Sequence, residues 1–345
     1  MRCIDNLRCH QLVIKDWLDR VMRALCAFLL FIVLPVSAET RIGLGSCFNQ
    51  ARDAAIWSPI ANEKLDGFLF LGDNLYASRG FSIERLKRAY GELDQLVPFD
   101  SLGFVHAIWD DHDYGENDGG QYFVHKDYSG QLFKEFFARR SDLKWPAKRG
   151  TYHASIRMLS GHKVQFIGLD TRSFRSPLTK TPTRNQPGAE RYVPSVDADQ
   201  SMLGEAQWQW LEKQLQASAD LRIVMSSIQV LAEGHGWERW GNLPNEQARL
   251  LKAITARAGG RVLFVSGDRH VGGAYQTSVG GETLYEITSS GLNMAWTEAT
   301  EYLPNQVGDP IRVDHYAVLN LDTEGLVSVQ WKDKTGTLLS EFPLR

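Results

Sequence analysis

Six apolar runs in this 345-residue chain stop abruptly on polar residues: RIGLGSC (41–47), DGFLFLGD (66–73), FVHAIWDD (104–111), HKVQFIGLD (162–170), RIVMSSIQ (222–229) and RVLFVSGD (261–268). A strand with one wet face alternates apolar and polar residues, whereas near-continuous runs belong to strands buried on both faces. Between them lie segments with apolar residues three and four apart, at 82–96, 129–140, 204–218 and 245–258. That is the spacing of a helix with one buried face. Alternation of strand and helix makes the fold α/β, and two packed sheets with helices outside are expected. LYEITSS, YAVLNLD, LVSVQWKD and LLSEFPL, separated by turn residues, predict a closing β meander.

Ligands of such folds sit beyond the carboxyl ends of the strands. Cys47, Asp73, Asp110, Asp111, Asp170, Gln229 and Asp268 all stand at or just past such ends. Several buried carboxylates without partners are strongly disfavoured, and a shared cation would relieve the cost.

Residues 1–38 read as an export signal, with ALCAFLLFIVLP as the apolar core, Arg20 and Arg23 as its positive flank and VSA before Glu39. Met22 is an alternative start, and an uncleaved anchor is the competing reading. The core is too short for a comfortable membrane span, so none is expected after cleavage. Residues 39–345 lack a Pro/Ser/Gly linker and are expected to form one domain, as a monomer. Five basic and three acidic residues leave with the signal, giving a net charge of about −5 and no basic nucleic-acid footprint. Cys3, Cys9 and Cys26 also leave, so Cys47 has no partner for an intramolecular disulfide.

Three segments carry chemistry. GDNLY (72–76) puts Tyr76 three residues after Asp73, where it is either a metal ligand or a core aromatic. WDDHDYGENDGG (109–120) crowds like charges into what reads as one loop, either a solvated turn or an active-site loop around His112. SGDRH (266–270) places Asp268 and His270 on the lip of a buried strand.

Together with GSC (45–47), LDTR (169–172) and SSIQV (226–230), these motifs occur in the order of the alkaline phosphatase D, or PhoD-like, family. The chain from residue 42 to about 276 resembles that branch of the calcineurin-like metallophosphoesterases. The resemblance implies a four-layer α/β/β/α sandwich and an exported alkaline phosphatase or phosphodiesterase acting on phosphate esters. It also implies Fe3+ held by Cys47, Asp73, Tyr76 and His270. Beside it, Ca2+ would use Asp73, Asp111 and Asp268, with the Asn117 amide as a further candidate ligand. Where the superfamily has GHxH, this chain has Asp268 in the first His position, which favours hard cations over zinc.

Asp111 is preferred to Asp110 as the ligand, with Asp110 as an outer orienter. His112 takes the general-acid or charge-stabilising role, or is a hydrogen-bonded core residue. Arg172 is a phosphate clamp or a surface salt-bridge residue, and Gln229 coordinates or orients water. The loop 171–200, Trp237 and Trp240 are the expected substrate-selecting surface. Two alternatives remain open, a two-metal Mn2+ or Zn2+ phosphodiesterase or phospholipase-type enzyme and a noncatalytic calcium-dependent binder of phosphorylated envelope polymers.

Overall fold

The computed structural model describes residues 39–345 apart from 146–148, 301–302, 326 and 345. The expected signal segment lies outside the described residues. Each of the six apolar runs carries a strand: β1 (Thr40–Gly45), β2 (Gly67–Leu71), β3 (Phe104–Ile108), β5 (His162–Gly168), β6 (Leu221–Ser226) and β7 (Arg261–Ser266). The remaining strands are β4 (His153–Leu159), β8 (Gly272–Val279), β9 (Glu282–Ser289), β10 (Gln306–Ile311), β11 (His315–Leu321), β12 (Val327–Asp333) and β13 (Leu338–Leu344).

One sheet has the order β13-β12-β11-β1-β2-β3 and the other β10-β8-β9-β7-β6-β5-β4. Within them, β1-β2-β3 and β5-β6-β7-β9 run parallel. Strand alternation explains how two sheets become four layers. Leu69 and Leu71 of β2 pack against Ile223, Met225, Leu263 and Val265 of the facing sheet. Phe68 and Phe70 of the same strand point the other way, into a second cluster.

That second cluster is covered by α1 (Trp57–Asn62), α2 (Ile83–Leu96) and α4 (Lys126–Ala138). In α2 the buried residues Leu86, Ala89, Tyr90 and Leu93 form one helical stripe, and Ser82 caps the start by accepting the Arg85 backbone N–H at 3.1 Å. The opposite sheet is covered by α5 (Gly204–Leu215) and α6 (Pro244–Thr255), through Trp208, Leu211, Leu250 and Ile254. The result is the expected α/β/β/α sandwich.

Two details differ from the sequence reading. LYEITS does form a strand, β9, but it pairs parallel to β7 in the second sheet, so the closing meander is β11-β12-β13 alone. The acidic segment is not all loop either, because Asp111–Tyr114 makes a helical turn, α3, with Asp110 and Asp113 forming a reciprocal cap. Among the described residues, no helix is long and apolar enough to cross a membrane.

Candidate metal centre and active site

The carboxyl ends of β1, β2, β3 and β7 meet across the gap between the sheets, and each delivers side chains shortly after its last residue. Cys47 follows β1, Asp73 follows β2, Asp111 opens the turn after β3, and Asp268 and His270 follow β7. Gly267 makes the close approach possible. A Cβ there would lie 2.6 Å from the Leu71 carbonyl oxygen and 2.6 Å from Ser46 Oγ. Four of these strand-end residues adopt left-handed backbone, Cys47 (φ 58°), Asp73 (50°), Asp268 (63°) and His270 (56°), as does Asp118 (54°) in the acidic segment. Side chains with a Cβ avoid that region, and such strain concentrates at functional sites where the surrounding structure enforces it.

Cys47 Sγ, a carboxylate oxygen of Asp73 and a ring nitrogen of His270 lie within 4.8 Å of one another. Tyr76 completes the group by donating its hydroxyl to Asp73 Oδ2 at 3.2 Å, with Cys47 Sγ 3.7 Å from the same oxygen. His270 Nδ1 bonds to the Met294 carbonyl, so Nδ1 carries the proton and Nε2 keeps its lone pair. Ser290 ties two elements together, since its Oγ accepts the His270 backbone N–H at 2.7 Å and lies 3.1 Å from Cys47 Sγ.

A second cluster of the same dimensions comprises Asp73, Asp111 and His112, and a third Asp111, Asp118 and Glu238. Asp73 is common to the first two. Asp113 holds this arrangement from behind, accepting the backbone N–H groups of Asp73 (3.0 Å), Asn74 (3.2 Å) and Asp110 (3.0 Å).

Burial shapes the electrostatics. It pushes the Cys47 thiol up to about 12, and the Tyr76 phenol also rises. Burial raises Asp73 and Asp268 well above the usual carboxylate range, with neighbouring Asp111 adding to each. Burial lowers His270 to about 4, keeping the ring neutral at ordinary pH. In each of these four acids burial favours the protonated form. One thiol, one phenol, one neutral imidazole and the Asp73 and Asp111 carboxylates form a donor set suited to a highly charged ion beside a hard divalent ion, and Asp268 lines the same cavity outside these clusters.

The remaining expected site residues divide by position. His112 lines the cavity, stacks on Tyr76 at 4.0 Å between ring centroids, and donates its backbone N–H to Asp73 Oδ1 at 3.2 Å. Its Nδ1 is taken by Ser78 Oγ, leaving Nε2 facing Asp111 Oδ1 at 3.9 Å. Asn117 also borders the cavity, and its amide N–H donates to Asp118 at 2.9 Å, which frees the amide oxygen. Asp111 faces the cavity while Asp110 turns inward to Arg172 and Ser227.

Arg172 does not reach the cavity. It has no solvent contact, and its guanidinium lies 2.5 Å from Asp110 and 2.8 Å from Glu238. The groups that neutralise it are internal, so a phosphate-clamping position is corrected to an internal counter-ion. Gln229 is likewise turned away, with Nε2 donating to Thr288 at 2.9 Å and Oε1 3.0 Å from His235 Nε2. Asp170 is saturated by Trp109, Thr151, Arg172 and Ser173 donors. Trp240 is a core residue bonded to Ser226, whereas Trp237 does line the cavity.

Sequence reasoning missed Asp118, Glu238, Ser290 and the cavity-lining Arg191, which pairs with Asp118 at 2.8 Å. Asp118 did lie in the acidic motif and Arg191 in the long loop 171–200, but nothing local marks Glu238 or Ser290. The cavity is about 350 Å³, and Asp73, Asp111, Asp268, His270, Trp237 and Trp296 are among the residues that line it.

The PhoD-like phosphatase family matches residues 104–338 of the chain. The solved structure of PhoD superposes with a TM-score of 0.67 at 16% identity, covering 89% of this chain and 72% of that one. Purple acid phosphatase PPD1 from seeds of yellow lupin, Lupinus luteus, superposes with a TM-score of 0.58 at 11% identity, covering 89% of this chain and 54% of that one. No curated protein matches the sequence.

Proposed function

Since this chain belongs to the PhoD-like phosphatase family, whose members are metal-dependent phosphoesterases, we propose that it is an exported phosphatase or phosphodiesterase working with an iron–calcium centre. The observation that carries this reading is the position of Asp73, shared between the Cys47–His270 cluster and the Asp111 cluster. A carboxylate between two sets of donors is suited to bridging two cations.

Cys47, Asp73, Tyr76 and His270 would hold ferric iron, because thiolate and phenolate favour a strongly charged acceptor. Asp73, Asp111, Asp268 and the free Asn117 amide oxygen would hold calcium, which takes oxygen donors. When bound, such a pair supplies Lewis acidity toward phosphoryl oxygens and lowers the pKa of water.

The chain's own residues position and protonate. Ser290 and Met294 fix the His270 ring, and Asp113 fixes the backbone at Asp73. His112 is the proton donor to the departing oxygen, since Ser78 orients its ring and Nε2 faces the cavity side. Arg191 and Arg269 on the cavity wall take the anion-gripping part expected of Arg172. Trp237 and Trp296, packed edge to face at 5.6 Å, exclude water on that side.

Activity against p-nitrophenyl phosphate and bis-p-nitrophenyl phosphate, measured for wild type and Asp73→Asn, tests the reading. The variant is expected to lose about three orders of magnitude in kcat, roughly 4 kcal/mol of barrier. Equal rates in the two proteins, or no turnover of either ester by wild type with calcium and iron supplied, would count against it. A ferric phenolate also absorbs visible light, so Tyr76→Phe should bleach the purified protein. Export predicts a mature N-terminus at Glu39 in protein recovered outside the cytoplasm, whichever of Met1 and Met22 begins translation.

A further inference from the structure

The carboxylate-rich cavity has a neighbour of opposite character. A groove of about 640 Å³ shares Arg52, His112, Asn117, His270 and Met294 with it and continues past Tyr76 and Ser78 to Arg79 and Arg85, which line the groove alone. Asp73, Asp111, Asp118, Glu238 and Asp268 line the cavity, but among the described residues no carboxylate lines the groove. Instead it presents Arg52, Arg79 and Arg85, from the segment after β1, the segment after β2 and the first turn of α2.

All three arginines are exposed, and among the described residues none of them forms an ion pair with a carboxylate. Arg52 donates to the Asn293 carbonyl at 3.4 Å. Arg85 occupies an electrostatically poor place, because the positive end of the α2 dipole disfavours a cation in the first turn. The chain as a whole is net negative at −3, so three converging guanidiniums without counter-ions are not its average surface. They concentrate positive potential beside the reacting centre.

We propose that this groove is a second-anion subsite, built to hold a further phosphate on the organic part of the substrate while one phosphoester sits at the metal centre. The inference rests on the phosphoesterase reading and narrows it to small bisphosphorylated or more highly phosphorylated esters. Guanidinium grips two phosphate oxygens at once, and groups from three chain segments can surround a tetrahedral anion. The shared wall at His112 puts the subsite on the side of the proposed proton donor, so the second phosphate belongs to the departing group.

The test compares fructose 1,6-bisphosphate, fructose 6-phosphate and p-nitrophenyl phosphate as substrates of wild type and of the Arg79→Ala/Arg85→Ala double variant. Wild type is expected to favour the bisphosphate over the monophosphate by about tenfold in kcat/KM, chiefly through KM, and the double variant by about twofold or less. The wild-type preference should also shrink as salt rises to about 0.5 M. A wild-type ratio near one, or a preference unchanged in the double variant, overturns the subsite. Turnover of bis-p-nitrophenyl phosphate but of none of the three monoesters also overturns the subsite, whereas failure on all four esters would instead sink the phosphoesterase reading. Calorimetric titration of the metal-loaded protein then judges the groove by itself. Tighter binding of the bisphosphate that disappears in the double variant supports it, and equal binding of the two sugars overturns it.

Discussion

With no solvent contact and with Asp110 and Glu238 within 2.8 Å, the Arg172 guanidinium neutralises two buried acids and leaves substrate to other cations. Removing one member of a buried ionic group strands its partners, so Arg172→Met should lower unfolding free energy by about 3–5 kcal/mol. Urea denaturation checks this, and a variant that folds normally but has a raised KM would restore the clamp. The side chains legible in the sequence were Cys47, Asp73, Asp111, Asp268 and His270, because each follows an apolar run that had to be a buried strand. Glu238 and Ser290 were not legible. Glu238 arrives on the segment between β6 and α6, and Ser290 directly follows β9, so their roles depend on tertiary contacts that no local pattern encodes. Trp240 and Trp237 looked alike in WERW, and only packing separates the core residue from the cavity wall.

Strand ends, more than helices, set the geometry of the centre. The end of β7 can approach β1 and β2 only because Gly267 lacks a Cβ that would meet the Leu71 carbonyl oxygen and Ser46 Oγ. Gly267→Ala should therefore cost about 1–3 kcal/mol of stability and displace Asp268 and His270. Thermal unfolding and metal content measured together would show both effects, and an unperturbed variant that still binds metal would contradict the account. The six buried strands and the four long helices were readable from periodicity. Strands β4, β8 and β10 were not, because edge and near-edge strands carry polar, Gly and Pro residues that dilute any pattern, as QVGDPI in β10 shows. The turn at Asp111–Tyr114 was hidden because its acidic residues look like loop, although Asp110 and Asp113 are well suited to capping it.

Two sheets pressed together also bury ionisable groups that belong to none of the donor clusters. His315, at the start of β11, is fully buried, its Nδ1 donates to the Val313 carbonyl at 2.8 Å, and burial lowers it to about 4. The unfolded chain returns it to about 6.5, so between those values the unfolded state binds the extra proton. Its contribution is complete above pH 6.5 and is lost as pH falls toward 4. The stability of wild type relative to His315→Gln should accordingly fall by about 2 kcal/mol between pH 7.5 and pH 5, read from urea midpoints. A difference independent of pH would mean the ring is charged or exposed in the fold. The larger claim is that chain segments more than two hundred residues apart enclose a metal ion. Anomalous diffraction from crystals of the protein as isolated, collected on either side of the iron edge, tests it directly. An iron peak bonded to Cys47 Sγ, Asp73, Tyr76 and His270 is expected; a Cys47 thiol with no metal density beside it would refute an iron site there.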